Sequence, residues 1–187
     1  NVDTGLATVL AEKLGVNPPQ VDHVPVEASY PSLSQLNTPS LPATQKVGVL
    51  IGDGFNGREV TQTLSTLKQY GVFFDIISDQ LGVVTGSDGT AIKINETFLT
   101  KYPVLYDSIY VVGGNAQNQN RFMQDIQEFV YEAYKHFKPI GVATTGQSFI
   151  RTSQGNNLEG VVFAANNPNF GRDFVQAIGK HRFWNRT

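Results

Sequence analysis

Three short stretches bring together residue types able to do chemistry. The first is Gly52-Asp53-Gly54-Phe55-Asn56-Gly57, a G-x-G-x-x-G run of the kind that lets a pyrophosphate approach a helix N-terminus. A dinucleotide site also wants an acid after the next strand to hold a ribose, and Asp79 is the approximate candidate; the alternative is glycines making a tight strand-to-helix turn. The second is Gly113-Gly114-Asn115, whose backbone amides can form an anion pocket or an oxyanion hole. The third is Thr144-Thr145-Gly146-Gln147, in the turn after a buried run, where α/β enzymes expose a nucleophile. A threonine nucleophile needs a base, yet His23, His136 and His181 all lie away from predicted strand ends. Thr144 has the alternative role of capping the next helix. Glu59 and Asp53 are the acids near these loops, and Glu59 also suits the first turn of a helix through the helix dipole.

Composition removes several classes. The chain has no cysteine, which excludes disulfides, thiolate metal sites and cysteine nucleophiles. No His, Asp or Glu cluster has metal-ligand spacing, so no metal is expected. A formal net charge of -2 gives no footprint for nucleic acid. No apolar run is long enough to span a bilayer, so a soluble chain is expected, cytoplasmic or secreted. The sequons Asn95-Glu96-Thr97 and Asn185-Arg186-Thr187 would accept glycan only in a secreted parent. Charged residues are 16% of the chain, against roughly 25% in typical domains, so the surface is polar but weakly charged.

The elements that must position these loops read as follows. Residues 1–45 form one region: a short amphipathic helix with Asp3-Thr4 at its start, a stripe of Leu6, Val9, Leu10 and Leu14, and Gly15 at its end. A linker follows with Pro18, Pro19, Pro25, Pro31, Pro39 and Pro42, six of the nine prolines. Residues 46–187 form the domain proper. Buried strands are predicted at Val47–Ile51, Val72–Ile77, Ser108–Val112, Ile140–Ala143 and Gly160–Ala164. Helices carry Val60, Leu64 and Leu67, then Phe122, Ile126, Phe129, Ala133 and Phe137, then Phe170, Phe174 and Ile178. Val83–Thr85 and Ala91–Ile94 flank Asp88-Gly89 as a β-hairpin. Alternating strands and helices predict an α/β fold with a mostly parallel sheet covered on both faces, its ligand chemistry at the carboxyl ends of the strands. The tail Lys180 to Arg186 is expected to dock through Phe183 and Trp184 with its charges in water.

Val47–Ile51 with Asp53-Gly54-Phe55 and Glu59, the hairpin with Asp88-Gly89-Thr90, Val111–Gly114 and Pro139–Gly146 resemble the DJ-1/PfpI branch of class I glutamine amidotransferase-like domains. The resemblance implies a flavodoxin-like three-layer sandwich. It aligns Glu59 with the acid that contacts the nucleophile and puts Thr144 where active relatives have cysteine, with Thr145 where proteases often have histidine. It therefore implies no amidotransferase, protease or deglycase activity.

The Asp3–Gly15 helix, the proline arm, Asp88-Gly89-Thr90, Phe98-Leu99-Thr100 and Glu132–Pro139 further resemble the last part of large-subunit catalases, over essentially the whole chain. That resemblance implies a non-catalytic domain of a haem enzyme that dismutates hydrogen peroxide under oxidative stress. The haem belongs to the parent: no Arg stands four positions before any of the seven tyrosines here. Its implied partners are the rest of the catalase chain and tetramer, and unfolded client proteins held in a chaperone-like way, for which Leu6, Val9, Leu10 and Leu14 are the candidate face. A hydrolase or deglycase using Thr144 and Glu59, and a nucleotide or flavin module at Gly52–Gly57, are the alternatives.

Overall fold

The computed structural model describes residues 4–18, 41–150 and 157–186. The chain divides into two units, residues 1–39 and 40–187. In the first, α1 (Thr4–Leu14) ends where Gly15 turns to a left-handed φ of +67° and the Val16 amide returns to the Ala11 carbonyl at 3.0 Å. Leu6, Val9, Leu10 and Leu14 are all exposed. Asp3 and residues 19–40 of the proline arm lie outside the described residues.

The second unit is built on a six-stranded parallel sheet of β1 (Lys46–Ile51), β2 (Phe73–Ser78), β5 (Glu96–Thr97), β6 (Ser108–Gly113), β7 (Ile140–Val142) and β8 (Val161–Phe163), in the order β5-β2-β1-β6-β7-β8. The period-two alternation of the strands sorts their side chains onto two faces. Val47, Val49, Ile51, Tyr110 and Val112 pack beneath α2 (Gly57–Gln69) and α4 (Phe170–Lys180), meeting Val60, Leu67, Phe174 and Ile178. Leu50, Ile77, Ile109, Val111 and Val142 turn the other way, onto Phe122, Ile126 and Phe129 of α3 (Gln119–Lys135). This is the three-layer, flavodoxin-like α/β sandwich.

The hairpin β3 (Gly82–Thr85) and β4 (Ala91–Ile94) pairs as a separate antiparallel sheet and packs Val84 and Ile94 into the α2/α4 layer. The sequence reading did not foresee β5. Its two residues pair with Ile77 and Ser78 and carry no periodic signal of their own.

Two buried polar clusters lie at the amino end of the sheet. Asp75 accepts from Lys46 Nζ at 2.6 Å and from the Tyr106 hydroxyl at 2.9 Å. At the C-terminus the expectation of wet charges and a docked Trp184 is corrected. Phe183 is buried as expected, but Trp184 is 68% exposed and Arg186 is almost fully buried. Arg186 donates from Nε to the Glu159 carbonyl at 2.6 Å and from Nη1 to the Lys138 carbonyl at 3.0 Å, with its guanidinium carbon 4.9 Å from the centre of the Tyr134 ring. The planar, multiply donating head of arginine satisfies otherwise unpaired carbonyls, which makes it a structural clasp.

Candidate functional site

The loops after β1, β6 and β7 converge at the carboxyl end of the sheet. The Gly52 amide donates to the Gly113 carbonyl at 2.8 Å, and Asp53 and Asn115 exchange backbone hydrogen bonds, both 2.8 Å. Gly113 and Gly114 have φ of +70° and +115°, and a β-carbon at Gly114 would run into the Gly52 and Asp53 carbonyls. Gly114 thus serves a crossing of backbones that a larger residue would block, and Gly113 makes room for the Phe149 ring.

Glu59 stands in the first turn of α2, where the Asn56 side chain caps the helix by accepting from the Glu59 amide at 3.1 Å. From there its carboxylate reaches the loop after β7. Oε2 accepts from the Thr144 hydroxyl at 2.7 Å and Oε1 from the Thr144 amide at 2.9 Å. Thr144–Phe149 forms a 3-10 helix with no side-chain cap, so the alternative that Thr144 caps the next helix is corrected: its hydroxyl is committed to Glu59. The Thr145 hydroxyl donates to the Val112 carbonyl at 2.8 Å, and Gly146 is pressed against the Val111 carbonyl, leaving no space for a β-carbon.

Thr144, Glu59, Gly113 and Gly114 are thus gathered at one end of the sheet. A base is what the described residues fail to add. His136 at the end of α3 meets Glu132 at 3.2 Å, and His181 meets Asp107, just before β6, at 3.5 Å. Both lie toward the amino end of the strands, opposite Thr144; His23 lies outside the described residues. In the Ser–His and Thr–amine pairs that activate an alcohol nucleophile the base is a histidine or an amine, and neither stands beside Thr144 among the described residues.

The glycine run has a different use from phosphate binding. The hairpin tip lies over the start of α2: Asp88 Oδ2 accepts from the Arg58 amide at 3.2 Å and Oδ1 from the Thr90 amide at 3.1 Å. The Thr90 hydrogen bond foremost holds the Asp88 carboxyl below the usual carboxylate range. A β-carbon at Gly57 would collide with Asp88 and Thr90. An anionic side chain of the chain itself therefore occupies the helix end that a pyrophosphate would seek. Asp53 is committed as well, accepting from the Thr85 amide at 2.7 Å, and Asp79 accepts from Ser78 Oγ at 3.2 Å. Asp88 is the residue that sequence reasoning undervalued, seeing in Asp88-Gly89 only a turn. Beside Glu59, a polar groove of about 560 Å³ runs between α2 and α4, with Arg58 and Arg172 on its walls.

A profile of the C-terminal domain found in long catalases matches residues 43–187. The chain belongs to this family of long-catalase C-terminal domains. A catalase of Alkalihalophilus pseudofirmus is 41% identical over 186 residues, a match covering all of this chain and 27% of that protein. Catalase-2 of Bacillus subtilis is 38% identical over 191 residues, again covering all of this chain and 27% of the relative. The long-catalase C-terminal domain described here thus spans about a quarter of the length of these curated relatives. The crystal structure of a ThiJ/PfpI domain protein from Brachyspira murdochii matches its fold with a TM-score of 0.58 and 16% identity, covering 74% of this chain and 98% of that one.

Neither Tyr106 nor Tyr110 fits the role of a phenolate ligand to haem iron. Tyr106 and Tyr110 are enclosed, against Phe129 and against Phe170 and Phe174, and burial foremost pushes both phenols well above their ordinary value, away from the phenolate that would ligate iron. Among the described residues no group of three His, Asp or Glu side chains is arranged to hold a metal, and no helix is long and apolar enough to cross a membrane.

Proposed function

We propose that this domain catalyses nothing by itself, stabilises the long catalase to which it belongs, and acts as a chaperone-like holdase for unfolding proteins. The observation that supports the non-catalytic part most directly is the Thr144 hydroxyl held 2.7 Å from Glu59 Oε2 with both described histidines elsewhere. In this reading Thr144 lacks the histidine or amine that activates such alcohols. The holdase part rests on the weakly charged surface and on the exposed Leu6, Val9, Leu10 and Leu14, an apolar stripe suited to apolar segments of a client. The domain's partners in this reading are the rest of the catalase chain and tetramer, with haem and peroxide dismutation residing there, and unfolding client proteins.

The test is light scattering from a heat-labile client with increasing ratios of the domain and an inert protein as control. Dose-dependent protection, weakened when Val9 and Leu10 are changed to Ser, is the expected result. Equal turbidity with and without the domain removes the holdase. The Thr144–Glu59 contact also favours a second reading, a DJ-1/PfpI-type hydrolase or deglycase. That reading requires a hydrolase signal from the wild-type chain that Thr144→Val abolishes.

A further inference from the structure

The amino end of the sheet carries a groove of about 530 Å³ that the site above does not use. Its apolar walls are Tyr102, Val104, Phe137 and Trp184, and its rim is Glu128, Glu132 and Arg182. Val104 is 80% exposed, Trp184 68% and Tyr102 59%. A contiguous apolar surface with a polar rim is the anatomy of an interface, and exposed tryptophan is the residue type most enriched where binding energy concentrates.

The backbone beneath these side chains is pinned. Lys138 is buried and its ammonium donates to the Pro103 and Tyr106 carbonyls at 2.9 and 2.6 Å, clamping the 3-10 turn Pro103–Leu105 that presents Val104. The Phe183 amide donates to the Phe137 carbonyl at 2.9 Å, and the Trp184 ring packs 5.4 Å from that of Phe137. Phe137 itself holds a left-handed φ of +58°. Apolar groups exposed on a fixed frame lose little freedom when they are covered.

Topology names the occupant. The chain enters the sheet at Lys46, whose amide donates to Asp107 Oδ2 at 2.9 Å while the Asp107 amide donates to the Lys46 carbonyl at 2.8 Å. Asp107 lies two residues beyond the Pro103–Leu105 turn, so the incoming polypeptide reaches the domain at the edge where the groove opens. About three quarters of the relatives' length lies outside the part this chain matches. Material tethered beside a surface meets it at high effective concentration. We propose that the remaining part of the parent long catalase docks into this groove, with apolar side chains at its centre and Trp184 as the anchor. The proposal rests on the stabilising role above and names the surface through which that role is exerted.

Hydroxyl-radical footprinting read by mass spectrometry tests it, comparing this chain with the intact parent. Trp184 and Tyr102 should be oxidised at least about fivefold more slowly in the parent, while Leu81 and Val83, exposed on the distant hairpin, keep their rates. Val104→Glu in the parent should restore Trp184 labelling toward that of the separate chain. Protection of the hairpin with Trp184 still fully labelled would overturn the groove assignment and leave the stabilising role standing. Equal labelling everywhere would overturn both. Protection that appears in the separate chain as its concentration rises, with a dimer in sedimentation, would assign the groove to a second copy and overturn the proposal.

Discussion

Glu59 holds Thr144 through both of its carboxylate oxygens, at 2.7 Å to the hydroxyl and 2.9 Å to the amide, and so ties the first turn of α2 to the loop after β7 across 85 positions of sequence. In the non-catalytic reading proposed above, this acid serves as a brace. The two hydrogen bonds sit near the surface, so each of Glu59→Gln and Thr144→Val should cost about 1 kcal/mol of stability. The double variant should cost less than the sum by about 0.5 kcal/mol or more, because both changes remove one interaction. Urea denaturation of the four proteins measures the coupling, and strict additivity would deny the brace.

Asp75 makes stability depend on pH in a definite direction. Burial alone would raise its carboxyl, but the hydrogen bonds and charge of Lys46 and the Tyr106 hydroxyl outweigh it, so the folded carboxyl titrates below the ordinary value. A depressed carboxyl contributes stability above its unfolded pKa of about 3.9 and loses that contribution as pH falls through the folded value. Asp75→Asn should therefore cost about 1 to 2 kcal/mol near pH 7, modest because half-exposed Lys46 can turn to water. The gap from wild type should close below about pH 4. Denaturation midpoints from pH 3 to 7 measure this, and a gap that does not change with pH would remove Asp75 from the account.

Arg186 closes the C-terminus onto the body. Alanine there leaves the buried Lys138 carbonyl and the part-buried Glu159 carbonyl without their donor and empties a space beside Tyr134, at a cost of about 2 kcal/mol. Lysine, a single point of charge without the planar fork, should recover less than half of this. The domain has one tryptophan, Trp184, two residues away, so its emission reports the loosening directly alongside the denaturation midpoint.

Much of this architecture was legible because a sheet buried on both faces leaves continuous apolar runs such as Val47–Ile51, and because α3 carries its buried residues at helical spacing. The approach of Thr144 to Glu59 was legible only through family resemblance, since no local pattern encodes a contact between loops so far apart. Arg186 and Trp184 were misplaced for a physical reason. Residue type says where a side chain prefers to be, yet a guanidinium offered several backbone carbonyls is buried against type, and an indole packed against the Phe137 ring is left largely exposed. Asp88 was seen as a turn residue because its second role, capping α2 from another element, arises only when the hairpin folds over the helix.

The central claim is that this domain supports its parent by contact and contributes no chemistry. The direct measurement is the heat-inactivation half-life of the intact long catalase beside that of the same enzyme ending before the residue matching Lys46. The account predicts that the shortened enzyme turns over peroxide at 25 °C but loses activity several times faster on heating. Equal half-lives, or a shortened enzyme lacking turnover although it is folded and haem-loaded, would contradict it.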